Sequence, residues 1–204
     1  MATPEDHVLA EALATRAGNL LCDVRANLTE AGAQARELRE EGDRRAHDLL
    51  MASLAAKRPG DAVLSEEGAA HGVHPDRSGA QRVWIIDPLD GTREFSEPPR
   101  TDWAVHVALA EGGLPTVGAV ALPALCMTLA TGPSVVTAIL SPVPERPRVV
   151  VSRTRPPAEA LAVAEALGGV IVEMGSAGAK AMAVVRGEAD VYVHSGGQFE
   201  WDNC

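Results

Sequence analysis

Four apolar residues, Val83-Trp84-Ile85-Ile86, run straight into Asp87-Pro88-Leu89-Asp90-Gly91-Thr92. This stretch limits the fold more than any other. An apolar strand of this kind is buried, so it delivers two carboxylates to a fixed place at the end of a sheet. Pro88 cannot donate a ladder hydrogen bond, so the strand is expected to end there. Gly91 permits a tight turn, and the amides around Gly91 and Thr92 can converge on one point. A helix starting near Arg93 would add partial positive charge at that point. Carboxylates, free amides and a helix start suit a divalent cation and a phosphate; a plain surface turn is the bland alternative.

A phosphoryl-accepting aspartate does not fit. Haloacid dehalogenase-type phosphatases place their two aspartates two residues apart, and the residue two before Asp90 is Pro88, which has no nucleophile. A metal site needs more oxygen ligands than one acid pair provides. Two further acidic stretches are available, Ser65-Glu66-Glu67 and Glu200-Trp201-Asp202.

The order of elements frames these acids. Val8, Leu9, Ala12, Leu13, Ala17, Leu20, Leu21 and Val24 mark one face of a long amphipathic helix. Residues 40–43, Glu-Glu-Gly-Asp, are expected to interrupt it, with a second helix from Arg44 to about Lys57 capped by Asp43. Residues 62–68 read as a short strand and 71–81 as a polar loop. Residues 102–110 alternate, with Trp103, Val105, Val107 and Leu109 on one face and Ala104, His106, Ala108 and Ala110 on the other. His106 and Trp103 read as core or supporting residues. Two more strands complete an antiparallel meander. Residues 141–147, rich in proline, separate an N-terminal α+β subdomain, 1–141, from a C-terminal α/β subdomain, 142–204. The latter shows β-α-β-α-β order, its second helix opened by Gly175, and this order implies a more parallel sheet.

The formal net charge of -10 argues against a nucleic-acid polymer as partner, because polyanions need a basic face. A small phosphorylated substrate remains open, since a metal supplies positive charge. The N-terminus carries acids where a secretory signal carries bases, and no run approaches the ~18 apolar residues of a membrane helix. Cys22, Cys126 and Cys204 are widely spaced and read as free thiols. The expectation is a cytoplasmic protein without membrane contact.

Ser65-Glu66-Glu67, Asp87-Pro88-Leu89-Asp90-Gly91-Thr92-Arg93-Glu94-Phe95 and Trp201-Asp202, in this order, resemble the Mg²⁺-dependent, lithium-sensitive phosphomonoesterases of the inositol monophosphatase superfamily. Arg93-Glu94-Phe95 and Gly175-Ser176-Ala177-Gly178-Ala179-Lys180 are similar to its 3′(2′),5′-bisphosphate nucleotidase (CysQ-type) branch. The resemblance implies a layered αβαβα sugar-phosphatase fold. It implies that Glu66, Asp87 and the Leu89 carbonyl hold one Mg²⁺ ion, and that Asp87, Asp90 and Asp202 hold a second. Glu66 would also reach a third, weaker site. Thr92 would orient the attacking water with Asp43 as partner, the Gly91 and Thr92 amides would hold phosphate, and Gly175, Ser176, Lys180 and His194 would meet the nucleotide.

The reaction so implied is removal of the 3′-phosphate from adenosine 3′,5′-bisphosphate or 3′-phosphoadenylyl sulfate, within sulfate assimilation. An inositol-monophosphate or fructose-1,6-bisphosphate phosphatase is the alternative, and a chain that binds without turnover is another. Members of the superfamily run on beyond the Trp-Asp pair, whereas Cys204 follows Asp202 closely here. The second subdomain is therefore expected to be incomplete and Asp202 loosely held. A homodimer is implied by resemblance alone.

Overall fold

The computed structural model describes residues 1–70, 79–132 and 144–203. Two long helices open the chain, α1 (Pro4–Glu30) and α2 (Ala35–Lys57). Then come β1 (Ala62–Ser65), α3 (Glu66–Ala70), β2 (Arg82–Asp90), α4 (Thr92–Phe95), β3 (Ala104–Glu111), β4 (Leu114–Leu122) and β5 (Met127–Ala130). The second unit contains β6 (Arg148–Ser152), α5 (Ala158–Ala166), β7 (Val170–Met174), α6 (Ala177–Val185), β8 (Val191–Tyr192) and α7 (Glu200–Asn203).

The first sheet has the order β1-β2-β3-β4-β5; β1 and β2 are parallel and the other pairs antiparallel. The second is parallel, with β6 between β7 and β8. Alternation along the strands sets the layers. Trp84, Ile86, Trp103, Val105, Val107 and Leu109 face α1 and α2 in the main core. Ile85 and Ala110 face the other way and pack with Trp201 of α7, while Ala104 and Leu122 pack with Ala179 of α6. Ala183 of α6 meets Val150 of β6, and the alternate residues Val149 and Val151 meet Ala160 and Ala164 of α5. The result is five layers, helices–sheet–helices–sheet–helix, as the resemblance implies.

Three local expectations change. Residues 40–43 do not interrupt a helix: α2 starts at Ala35 and runs through them, so Asp43 is no N-cap. Acids at 40 and 41 find arginine partners at 36, 44 and 45 on the same helix, which supports the helical backbone there. The strand does not stop at Pro88 either. β2 continues to Asp90, with its pairing to β3 shifted between Asp87 and Asp90, so the proline sits in an irregularity where no ladder donor is needed. Finally, α6 opens at Ala177 with Ser176 as its cap, so Gly175 precedes the helix. Residues 71–78 of the polar loop and the boundary after residue 141 lie outside the described residues.

Candidate active site

Strand pairing brings the acids together. β1 and β2 run parallel with Ser65 beside Ile86, so the residues that follow, Glu66 and Asp87, emerge side by side. β3 runs antiparallel and places His106 opposite Asp87. One ligand atom from each of Asp87, Asp90 and His106 lies within 4.8 Å of the others. Asp202 arrives on α7, close enough for its charge to act on Glu66 and Asp87. It was expected on a loose segment, but Trp201 beside it is buried against Leu64, Ile85 and Ala110 and its carbonyl accepts from His106 Nδ1 at 2.8 Å.

Burial and mutual repulsion strain this cluster. Burial, then the charges of Asp90 and Glu66, push Asp87 far above the usual carboxylate range. Glu66 is raised by burial and by Glu67, Asp90 and Asp202, with a hydrogen bond accepted from Asp87 opposing. Asp202 is raised by burial and by Asp90. Asp90 behaves differently. Burial opposes its ionisation, but His106, the Ser176 hydroxyl and the Gly178 amide outweigh it and hold the carboxyl at about 2. Its Oδ2 accepts from Ser176 Oγ at 2.5 Å and Gly178 N at 2.7 Å, and Oδ1 accepts from Ala177 N at 3.1 Å. Converging oxygen donors that raise one another's pKa fit hard divalent cations, whose charge relieves the repulsion.

Asp43 stands beside this cluster. Gly42 lets α2 lie against the end of β2 and against α4: a Cβ there would come within 2.8 Å of Phe95 Cε1 and 2.9 Å of Leu89 Cδ2. Thr92 Oγ1 then lies 3.1 Å from the Leu89 carbonyl and 3.5 Å from Asp43 Oδ1. Burial, with Glu67 and Glu66 adding, raises Asp43 to about 7, against the hydrogen bond from Thr92.

The C-terminal ends of β6, β7 and β8 open on a cleft of about 540 Å³, where parallel sheets commonly take ligands. Of the expected site residues, Asp90, Gly91, Thr92, Gly175, Ser176, Lys180, His194 and Asp202 line it, whereas Asp43, Glu66, Asp87 and Leu89 do not. Gly175 has a reason beyond ligand approach, since a Cβ there would overlap the Glu94 carboxyl group. Its amide donates to Asp102 Oδ2 at 2.6 Å. Lys180 is buried, not solvated on its helix; it donates to the carbonyls of Gly175 and Ser176 and lies 5.5 Å from the centre of the Tyr192 ring. Burial lowers its pKa, against the pull of Asp90 and Glu94.

Residue reasoning assigned no site role to Arg93 or Arg155, which line the cleft. It gave His106 no more than a core or supporting place. The alternation of residues 102–110 carried a signal for His106, but only the register against β2 sets it opposite Asp87. Nothing in the local sequence marks Arg155.

A family model described as the inositol monophosphatase family matches residues 5–204. A 3′-phosphoadenosine 5′-phosphate phosphatase of Mycobacterium leprae (strain TN) is 49% identical over 98% of this chain and 75% of its own length. Its namesake in Mycobacterium bovis is 50% identical over 92% of this chain and 71% of that protein. Among solved structures, CysQ from Bacteroides thetaiotaomicron aligns with a TM-score of 0.77 at 24% identity, covering 97% of this chain and 82% of that one. Inositol monophosphatase II from Staphylococcus aureus MSSA476 gives 0.78 at 20% identity, covering 98% and 78%. With acids converging in five layers and a family match across nearly its whole length, the chain belongs to the inositol monophosphatase family.

Proposed function

We propose that this chain is a Mg²⁺-dependent phosphomonoesterase that removes the 3′-phosphate of adenosine 3′,5′-bisphosphate. The observation that carries the reaction type is the meeting of Glu66, Asp87, Asp90 and Asp202 beside the cleft. Half-identical relatives named for 3′-phosphoadenosine 5′-phosphate support the substrate. Arg93, Arg155, Lys180 and His194 on the cleft wall suit a ligand with two anionic groups.

Glu66, Asp87 and the Leu89 carbonyl would hold one Mg²⁺ ion, and Asp87, Asp90 and Asp202 a second. When bound, the ions neutralise charge on the phosphoryl oxygens and acidify water for in-line attack. Thr92 orients that water through its hydroxyl. Asp43 accepts from the Thr92 hydroxyl and so fixes the direction in which Thr92 presents its oxygen. The Gly91 and Thr92 amides hold the phosphate. Lys180 keeps the Gly175 and Ser176 backbone in place at the wall that faces the nucleotide.

Phosphate release from adenosine 3′,5′-bisphosphate, inositol 1-phosphate and fructose 1,6-bisphosphate, with and without Mg²⁺ and Li⁺, tests the reading. The bisphosphate nucleotide is expected to be the best substrate, with release that needs Mg²⁺ and is inhibited by Li⁺. A preference for inositol 1-phosphate overturns the nucleotidase assignment.

A further inference from the structure

His106 is buried to 2% exposure in the middle of β3, on the sheet face turned toward α6 and α7. Its ring spans two parts of the site that are far apart in sequence. Nδ1 lies 2.8 Å from the Trp201 carbonyl oxygen, which only accepts, so this nitrogen carries a proton. Nε2 lies 3.1 Å from Asp90 Oδ2, a close contact whose angle falls outside hydrogen-bond geometry. Room for the ring comes from Gly178, where a Cβ would overlap Nε2. The amide of the same glycine donates to Asp90 Oδ2 at 2.7 Å. α7 is a helix of four residues, too short to hold its own orientation, so the direction of Asp202 depends on what grips Trp201.

We propose that His106 is a positioning residue: it ties the β2 acids to the segment that carries Asp202 and so sets the geometry of the cation site they share. This rests on reading Asp87, Asp90 and Asp202 as cation ligands. Outer partners of this kind are worth about 10–100-fold in metal affinity.

The ring has two separable halves. In His106→Asn the side-chain amide stands near Nδ1, keeping the bond to Trp201 and losing the reach to Asp90. In His106→Gln it stands near Nε2, with the opposite outcome. Gly178→Ala displaces the ring without altering its chemistry. Isothermal titration of the purified chain with Mg²⁺, beside thermal melts of the metal-free protein, is the experiment. Each of the three variants is expected to weaken Mg²⁺ binding by ~10-fold or more, and His106→Ala by up to ~100-fold. Lower melting temperatures with an unchanged Mg²⁺ dissociation constant make the histidine merely structural and overturn the proposal. If His106→Ala does not fold, the Asn, Gln and Gly178→Ala variants still decide. A wild-type chain that binds no Mg²⁺ overturns the cation reading itself.

Discussion

At Gly42 the missing methyl group lets α2 settle onto Phe95 and Leu89, and the next residue is Asp43. Gly42→Ala therefore sets two effects against each other. Alanine in a helix interior is worth about 1 kcal/mol over glycine. Forcing a methyl between two packed side chains costs about 1–3 kcal/mol. Steric crowding should win, with a lower melting temperature and slower phosphate release as Asp43 moves away from Thr92. A more stable variant with unchanged rate would show that the packing yields. Asp90→Asn tests the chemistry more directly: the carboxylate held at about 2 becomes a neutral amide. Phosphate release should fall to background, and retained release would remove Asp90 from the reaction.

At the scale of elements, the start of α1 is fastened by Asp6. It accepts from the Thr3 amide at 2.9 Å and pairs with Arg58 at 2.9 Å and Arg82 at 3.1 Å. Burial raises its pKa, but the Thr3 amide and both guanidiniums outweigh that and bring it to about 2. A depressed carboxyl contributes stability above its unfolded pKa of about 3.9, and the contribution disappears as pH falls through about 2. Allowing for screening by nearby water, its worth is about 1–2 kcal/mol at neutral pH. Asp6→Asn should lower the melting temperature at pH 7 and converge with wild type near pH 2; parallel curves would place the acid sensitivity elsewhere. α6 has its own fastening. Ser176 Oγ accepts from Ala179 N at 2.8 Å and donates to Asp90. Ser176→Ala should cost about 1–2 kcal/mol in chemical denaturation.

Over the whole molecule, the two sheets meet through polar contacts that also build the site. Asp90, at the end of the first sheet, receives the amides that open α6 of the second unit. Arg153, just after β6, pairs with Glu94 at 2.7 Å and Glu97 at 2.9 Å, and Glu94 lies against Gly175. Buried acids that repel one another weaken this junction, and a cation among them would relieve the repulsion. Mg²⁺ at 100 times its dissociation constant should therefore stabilise the fold by about 2.7 kcal/mol. Chelation should reverse the gain, and Asp90→Asn should show little of it; a melting temperature indifferent to Mg²⁺ in the wild type would contradict the cation site. Among the described residues, no helix is long and apolar enough to cross a membrane.

Much of this arrangement is legible in the chain. The three- and four-residue spacing of residues 8–24 and the alternation of residues 102–110 depend on local chemistry, and a helix and a strand stand there, although the break between α1 and α2 falls at 31–34 and not at 40–43. The acidic motifs are local too: Asp87 and Asp90 stand out unaided, and residues 65–67 and 200–202 offer further acids, although only the family resemblance picks Glu66 and Asp202 from them. The failures share one cause. Gly42, Pro88 and Gly175 resemble breaks or ligand contacts when viewed alone, because a glycine or proline carries no mark of what packs against it. Only the fold sets Phe95 against Gly42 and Glu94 against Gly175, and only the shifted pairing excuses Pro88 from the ladder. The sequence determines which groups are available, whereas distance and register between remote strands decide which of them meet. His106 is the clearest case: an ordinary strand residue until β3 sets it opposite Asp87 and α7 brings the Trp201 carbonyl to its ring.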